Sequence, residues 1–172
     1  MSTLDRDTII RALSLLNERL GARGETAELF LVGGAVMCLV HDARPATRDV
    51  DGWFTEPAGV RAAAREVADE LGLPEDWLND AAKGYVPTNA GYDTWRSMEH
   101  LVVCTVDPPT LLAMKCAAAR TKEDRGDIEF LARLLELKSS QAVLAVVARY
   151  FPEERLPVRT RLLLEEFFDE RS

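Results

Sequence analysis

The run Leu29-Phe30-Leu31-Val32-Gly33-Gly34-Ala35, followed by Asp49-Val50-Asp51, constrains this chain more than any other stretch. Its apolar part has the length of a short buried strand, and the double glycine ends it. Residues 34–42 then read as a helix, and a second strand is expected at about 48–55. Residues i and i+2 of a strand point to one face, so Asp49 and Asp51 are expected side by side. Adjacent carboxylates repel unless a cation lies between them. A glycine turn lets backbone N–H groups approach a phosphate with no Cβ in the way. Together these features predict a site for a metal-bound nucleoside triphosphate. Neither GxxxxGK[ST] nor GxGxxG is present, so the pattern is neither a P-loop nor a dinucleotide fingerprint. The plainer alternative is a glycine chosen for packing and two solvated loop carboxylates.

The rest of the chain predicts an α+β domain. A helical period runs over residues 4–22 through Ile9, Leu13, Leu16 and Leu20, with Gly21 as its stop. An alanine-rich helix is expected at 57–72, ending near Gly72 and Pro74. Residues 74–98 show no clear period. A strand follows at 100–106, and Asp107-Pro108-Pro109 opens a helix that runs through Lys115 toward Arg120. Further helices are expected at about 124–137, 139–150 and 157–169. The expectation is therefore one domain, 1–172, with a small mixed sheet flanked by helices in about 1–107 and a helical part in about 108–172.

Composition narrows the classes of function. With 172 residues, 47% hydrophobic and 29% charged, the chain suits a soluble globular protein with a real core. No apolar run reaches the roughly 18 residues that span a membrane, and the first residues lack the layout of a signal peptide. A cytoplasmic protein with no membrane partner is the expectation. Cys38, Cys104 and Cys116 sit in apolar contexts without CxxC spacing, and His41 and His100 are isolated, which argues against a zinc site. Carboxylates match Mg²⁺ better. The net charge of −8 argues against broad binding to a nucleic-acid backbone. It leaves room for a local basic patch of Arg44, Arg48, Lys115, Arg120 and Lys122.

A second constellation comprises Lys115, Arg120, Lys122, Asp124 and Asp127. Lys115 lies in an otherwise apolar helical run, where a lysine either snorkels to the surface or meets a phosphate. Asp124 and Asp127, three apart, share a helix face near its start, where capping is the structural alternative. Trp77, Trp95, Tyr85 and Tyr92 lie in the irregular segment; they either stack a base or anchor that segment to the core.

These blocks, in this order, resemble the nucleotidyltransferase superfamily. Within it the likeness is to small bacterial nucleotidyltransferase-like proteins of the DUF6036 type, related to AbiEii-like toxins. Val32-Gly33-Gly34, Arg48-Asp49-Val50-Asp51, Leu111-Leu112-Ala113-Met114-Lys115 and Asp124-Arg125-Gly126-Asp127-Ile128 carry it. Leu73-Pro74-Glu75-Asp76-Trp77-Leu78-Asn79-Asp80 and Tyr150-Phe151-Pro152-Glu153-Glu154-Arg155-Leu156-Pro157 are more particular to the small group. The resemblance implies a sheet of nucleotidyltransferase type and transfer of a nucleoside monophosphate from an NTP to an RNA or protein acceptor. It implies Mg²⁺ (or Mn²⁺) held by Asp49 and Asp51, phosphates held by Gly33, Gly34, Arg48 and Lys115, and Asp127 orienting the acceptor or acting as a base. Among relatives are toxins of toxin–antitoxin pairs, and some modify tRNA ends. A tRNA acceptor and a cognate antitoxin are therefore expected partners.

One departure stands out. Active members of the superfamily often place a third carboxylate on a later strand, and Leu101-Val102-Val103-Cys104-Thr105-Val106 has none; Glu99 and Asp107 sit at its ends. Either Asp127 substitutes, or the chain is a catalytically degenerate module that binds a nucleotide or a partner and keeps the fold.

Overall fold

Asp5 ends one element and starts the next. The computed structural model describes residues 2–120 and 122–170. Strand β1 (Leu4–Asp5) runs directly into helix α1 (Arg6–Ala22), and the Asp5 carboxylate accepts a hydrogen bond from the Thr8 N–H at 2.8 Å. That bond satisfies one of the orphan donors of the first turn. Ile9, Leu13, Leu16 and Leu20 fall on one stripe of α1 and are fully buried or nearly so. Helix α3 (Pro57–Leu71) begins with proline, whose missing N–H costs nothing there, and ends at Gly72 in the left-handed region. Its Ala63, Ala64 and Ala68 are small and buried, which lets α1 and α3 pack closely.

The chain forms two compact units: Met1–Gly84 with Tyr92–Val106, and Tyr85–Gly91 with Asp107–Ser172. The first holds the mixed sheet. Strand β2 (Ala27–Val32) pairs antiparallel with β4 (Val50–Phe54) and parallel with β7 (Leu101–Val106). Two short strands complete it: β5 (Leu78–Asn79), parallel to β4, and β6 (Tyr92–Ser97), antiparallel to β7. The order is β5-β4-β2-β7-β6. Residues opposite one another share a face. Leu29, Phe54 and Val103 make one buried row. The next row, Trp53, Phe30, Cys104 and Thr94, lies on the other face.

The expected strand at about 48–55 is β4, and a further short strand precedes it. Strand β3 (Ala46–Thr47) leaves the main sheet and pairs with β1, Leu4 opposite Thr47, and Arg48 and Asp49 link it to β4. The expected helix at 34–42 is shorter, α2 (Gly34–Leu39), because Val40 closes it and Asp42 turns left-handed at φ 49°. Residues 74–98 are more regular than their sequence: β6 is a polar edge strand whose register shifts between Thr94 and Arg96. That shift breaks the period of two, which is the signal a strand leaves in a sequence.

The second unit is helical. Asp107 caps α4 (Pro108–Ala118), accepting from the Thr110 N–H at 3.0 Å, and α5 (Lys122–Leu134), α6 (Ser140–Ala148) and α7 (Val158–Asp169) follow. Leu111, Leu112, Cys116, Ile128, Leu131, Val143 and Leu164 are among its fully buried residues. Buried Thr160 donates its hydroxyl to the Cys116 carbonyl at 2.7 Å, which ties α7 to the end of α4. Segment 85–91 belongs here too: the Gly91 N–H donates to Thr110 Oγ1 at 3.1 Å.

Candidate functional site

Strand β2 delivers the chain to Gly33, whose backbone stands at φ 71° and ψ −150°. Only glycine adopts that conformation readily. Space is not the constraint there, since a methyl group on Gly33 would meet Asp51 Oδ2 at an ordinary 3.5 Å. Gly34 is the reverse case. Its φ lies outside the positive region, yet a methyl group on it would lie 2.8 Å from both Arg44 Nη1 and Thr47 Oγ1. One glycine is needed for its backbone and the next for its lack of a side chain. The pair therefore makes a turn with a carboxylate against one residue and a guanidinium against the other.

Asp51 lies on β4, opposite Val32 on one side and Asn79 on the other, and is half-buried. Asp49 lies one residue before the start of β4, in the link from β3. Other groups fix it in place. Asn79 Nδ2 donates to Asp49 Oδ2 at 3.4 Å, and the buried Thr47 hydroxyl donates to the Asp49 carbonyl at 3.2 Å. Arg48 is exposed in the same link. Asn79 was legible only as part of the Trp77-Leu78-Asn79-Asp80 string; Arg44 had appeared only within a general basic patch.

The residues offered for a third carboxylate are engaged elsewhere. Strand β7 carries none, Asp107 is the cap of α4, and Glu99 is exposed. Among the described residues no group of three or more His, Cys, Asp or Glu side chains is arranged to hold a metal. Asp51 lies at the glycine turn, and the Asp49 carboxylate lies against Asn79, the strand partner of Asp51. Two carboxylates are what a Mg²⁺ ion commonly takes from a protein when substrate phosphates and water supply its other ligands, so the residues present fit an ion that arrives with its nucleotide.

The second constellation, in the second unit, is closed on itself. Lys115 Nζ lies 2.9 Å from Asp124 Oδ1 and 2.8 Å from Asp127 Oδ2, and these side chains are 9%, 7% and 4% exposed. The Arg120 N–H donates to the other Asp124 oxygen at 2.8 Å. Burial opposes the charge on Asp124, but the bond and charge of Lys115 outweigh it and hold the carboxyl below its ordinary range. Lys115 thus does not snorkel to the surface; its ammonium meets two carboxylates in the interior of the unit.

The aromatic residues separate. Trp77 is fully buried, its indole donating to the Ala64 carbonyl at 3.0 Å, so it anchors the core and cannot stack a base. Tyr85 is 74% exposed in the second unit, and Trp95 is half-buried under the Arg96 guanidinium. Tyr92 belongs to a cluster the sequence reading missed. Phe30 stacks on Trp53 with centroids 4.0 Å apart, and the Trp53 indole donates to the Tyr92 hydroxyl at 3.0 Å. Trp53 stands two residues beyond Asp51, hence on the same sheet face. The cysteines are free and buried, and burial pushes the Cys116 thiol up to about 12, which excludes a reactive thiolate there.

Among the described residues no helix is long and apolar enough to cross a membrane. Comparison with protein-family models, curated proteins and solved structures gives no match to this chain.

Proposed function

We propose that this chain is a metal-dependent nucleotidyltransferase that moves a nucleoside monophosphate from an NTP to an RNA or protein acceptor. The observation that carries the reading is the packing of the Asp51 carboxylate on Gly33, at the turn where β2 ends and α2 begins. A carboxylate there can ligate a divalent ion while neighbouring backbone N–H groups face the phosphates that the ion bridges. Bound Mg²⁺ would supply charge neutralisation at the reacting phosphorus.

In this reading Asp49 and Asp51 hold the ion, and Gly33 and Gly34 let the triphosphate approach the backbone. Arg48 is exposed and free of packing constraints that would fix it, so its share is long-range attraction. The acceptor hydroxyl oxygen forms a bond to the α-phosphorus, and the bond from that phosphorus to the bridging oxygen breaks. Pyrophosphate leaves with the electron pair, and the hydroxyl proton passes to solvent. Catalysis here is positioning and electrostatics rather than covalent chemistry by the protein. Lys115 and Asp127, which the resemblance puts in the site, receive a structural role because each neutralises the other inside the second unit. The resemblance extends the proposal to a toxin that modifies tRNA and is held in check by a cognate antitoxin.

The test is incubation with each α-labelled NTP, Mg²⁺, and total RNA or protein, comparing wild type with Asp49→Ala/Asp51→Ala. Label should move to one acceptor class in the wild type and to none in the double variant. Transfer that survives the double substitution would refute the assignment. A second reading rests on the absence of a carboxylate from β7: a degenerate module that binds NTP without transferring it. Mg²⁺-dependent NTP binding without label transfer to any acceptor would favour it.

A further inference from the structure

We propose that the outer edge of β6 is a two-fold contact surface, on which a second copy of this chain pairs its own β6 antiparallel. Strand β6 is the last strand of its sheet, paired with β7 on one side and with no strand of the described residues on the other. Such an edge presents backbone N–H and C=O groups to any strand that comes beside it. Asp93, Thr94, Arg96 and Ser97 are exposed along it. Charged side chains and a bulge commonly keep other strands off an edge. A charge guards an edge against its own copy by meeting its like, and β6 carries one acid and one base instead. Neither Asp93 nor Arg96 forms an ion pair with another described residue.

The irregularity in β6 decides the register in which two copies can meet. Asp93 pairs with Thr105 and Arg96 with Val103, while Trp95 has no residue of β7 opposite it. Thr105 and Val103 are two apart on β7 and share a sheet face, so Asp93 and Arg96 share it too. In a regular strand, residues three apart would face opposite sides. A two-fold axis between Thr94 and Trp95 places Asp93 opposite the Arg96 of the second copy, and Arg96 opposite its Asp93. Residues directly opposite in a continuous sheet share a face, and the extra residue meets that condition. Tyr92 then falls opposite Ser97, both on the other face. The Arg96 guanidinium lies over the Trp95 ring at 4.5 Å. That stacking engages the face of the guanidinium and leaves the N–H groups at its rim for a carboxylate. Opposite charges directly across an antiparallel pair attract, and the two-fold makes this contact twice. A contact through a six-residue strand is small, which suits a weak, reversible dimer rather than an obligate one.

The experiment is sedimentation velocity of the full chain at about 150 mM salt, which screens the long-range repulsion between two chains of net charge −8. Wild type should dimerise reversibly as its concentration rises through the micromolar range. Asp93→Arg and Arg96→Asp each set like charges face to face, and each should weaken dimerisation about tenfold or more. Mixing the two variants restores opposite charges at both contacts and should recover a dimer of wild-type strength. The double exchange in one chain, Asp93→Arg/Arg96→Asp, should also dimerise like wild type. Circular dichroism checks that each variant keeps the fold. Wild type that stays monomeric through that range would overturn the proposal and leave the edge to an extended segment of another protein. Dimers that both single variants leave intact would overturn it as well. Single variants that stay monomeric when mixed would show that Asp93 and Arg96 do not meet across a two-fold.

Discussion

Asp49 and Asp51 stand half-buried beside a glycine turn, whereas Asp124 and Asp127 are buried around a single lysine. Both pairs are spaced closely in sequence, and both follow a predicted element boundary. The difference lies in how deeply they are buried and in what they lie against. Lys115 meets both carboxylates of the second pair at hydrogen-bond distance, and a backbone N–H satisfies Asp124 further. At the first pair an asparagine amide meets the Asp49 carboxylate and a threonine hydroxyl its carbonyl, and Asp51 lies against a turn that brings backbone close. A buried cluster closed on its own lysine is built for stability; the half-buried pair beside the glycine turn is where the proposed site lies.

The largest effect should come from breaking the closed cluster. Lys115→Met leaves two carboxylates buried without their cation and should cost about 3–5 kcal/mol in urea unfolding. Replacing all three residues at once, Lys115→Met/Asp124→Leu/Asp127→Leu, should recover most of that loss, because the charges are removed together. A folded triple variant that keeps label transfer would sharpen the contrast. One that folds and loses transfer would break it and return Lys115 and Asp127 to the site.

Acid should attack the same cluster. The Asp124 carboxyl titrates below its ordinary range in the folded chain. Its charged form therefore stabilises the fold at every pH above the unfolded value, and that contribution is lost as pH falls through the folded one. Unfolding followed by circular dichroism should show wild type losing stability below about pH 4, with the apolar triple variant less sensitive.

The glycine turn should respond more modestly. Gly33→Ala forces a Cβ onto a backbone at φ 71° and should cost about 1–3 kcal/mol by thermal melting. A cost near zero would mean the turn relaxes and is not fixed in the way the site requires. Smallest is Asp107→Ala, which removes the cap of α4 for about 1 kcal/mol. It should leave Mg²⁺-dependent binding unchanged, since Asp107 is occupied as a cap; weaker metal binding would mark it as the third carboxylate after all.

Much of the architecture was legible because long amphipathic helices write their period plainly. Residues 57–72 show the stop that Gly72 makes, and Asp107-Pro108 announces α4 by cap and proline. What escaped were elements whose reason lies in a distant partner. Strand β3 exists because Thr47 faces Leu4, and β6 because β7 offers an edge; neither has a period of its own. In the site, Gly33 and Asp51 could be read locally, since glycine and acid spacing is local chemistry. The place of Arg44 could not, because the space it fills belongs to a residue ten positions earlier. Lys115 was ambiguous for the same reason: a lysine on an apolar face reveals its role only once Asp124 and Asp127 are folded against it.

The most direct measurement follows free Mn²⁺ by electron paramagnetic resonance, with and without an equimolar NTP mixture, in wild type and in Asp49→Asn/Asp51→Asn. With the nucleotides present, wild type should remove Mn²⁺ from solution beyond what the nucleotides remove alone, and the double variant should not. Equal uptake by the two proteins, or none by wild type, would contradict a metal–triphosphate site at the glycine turn.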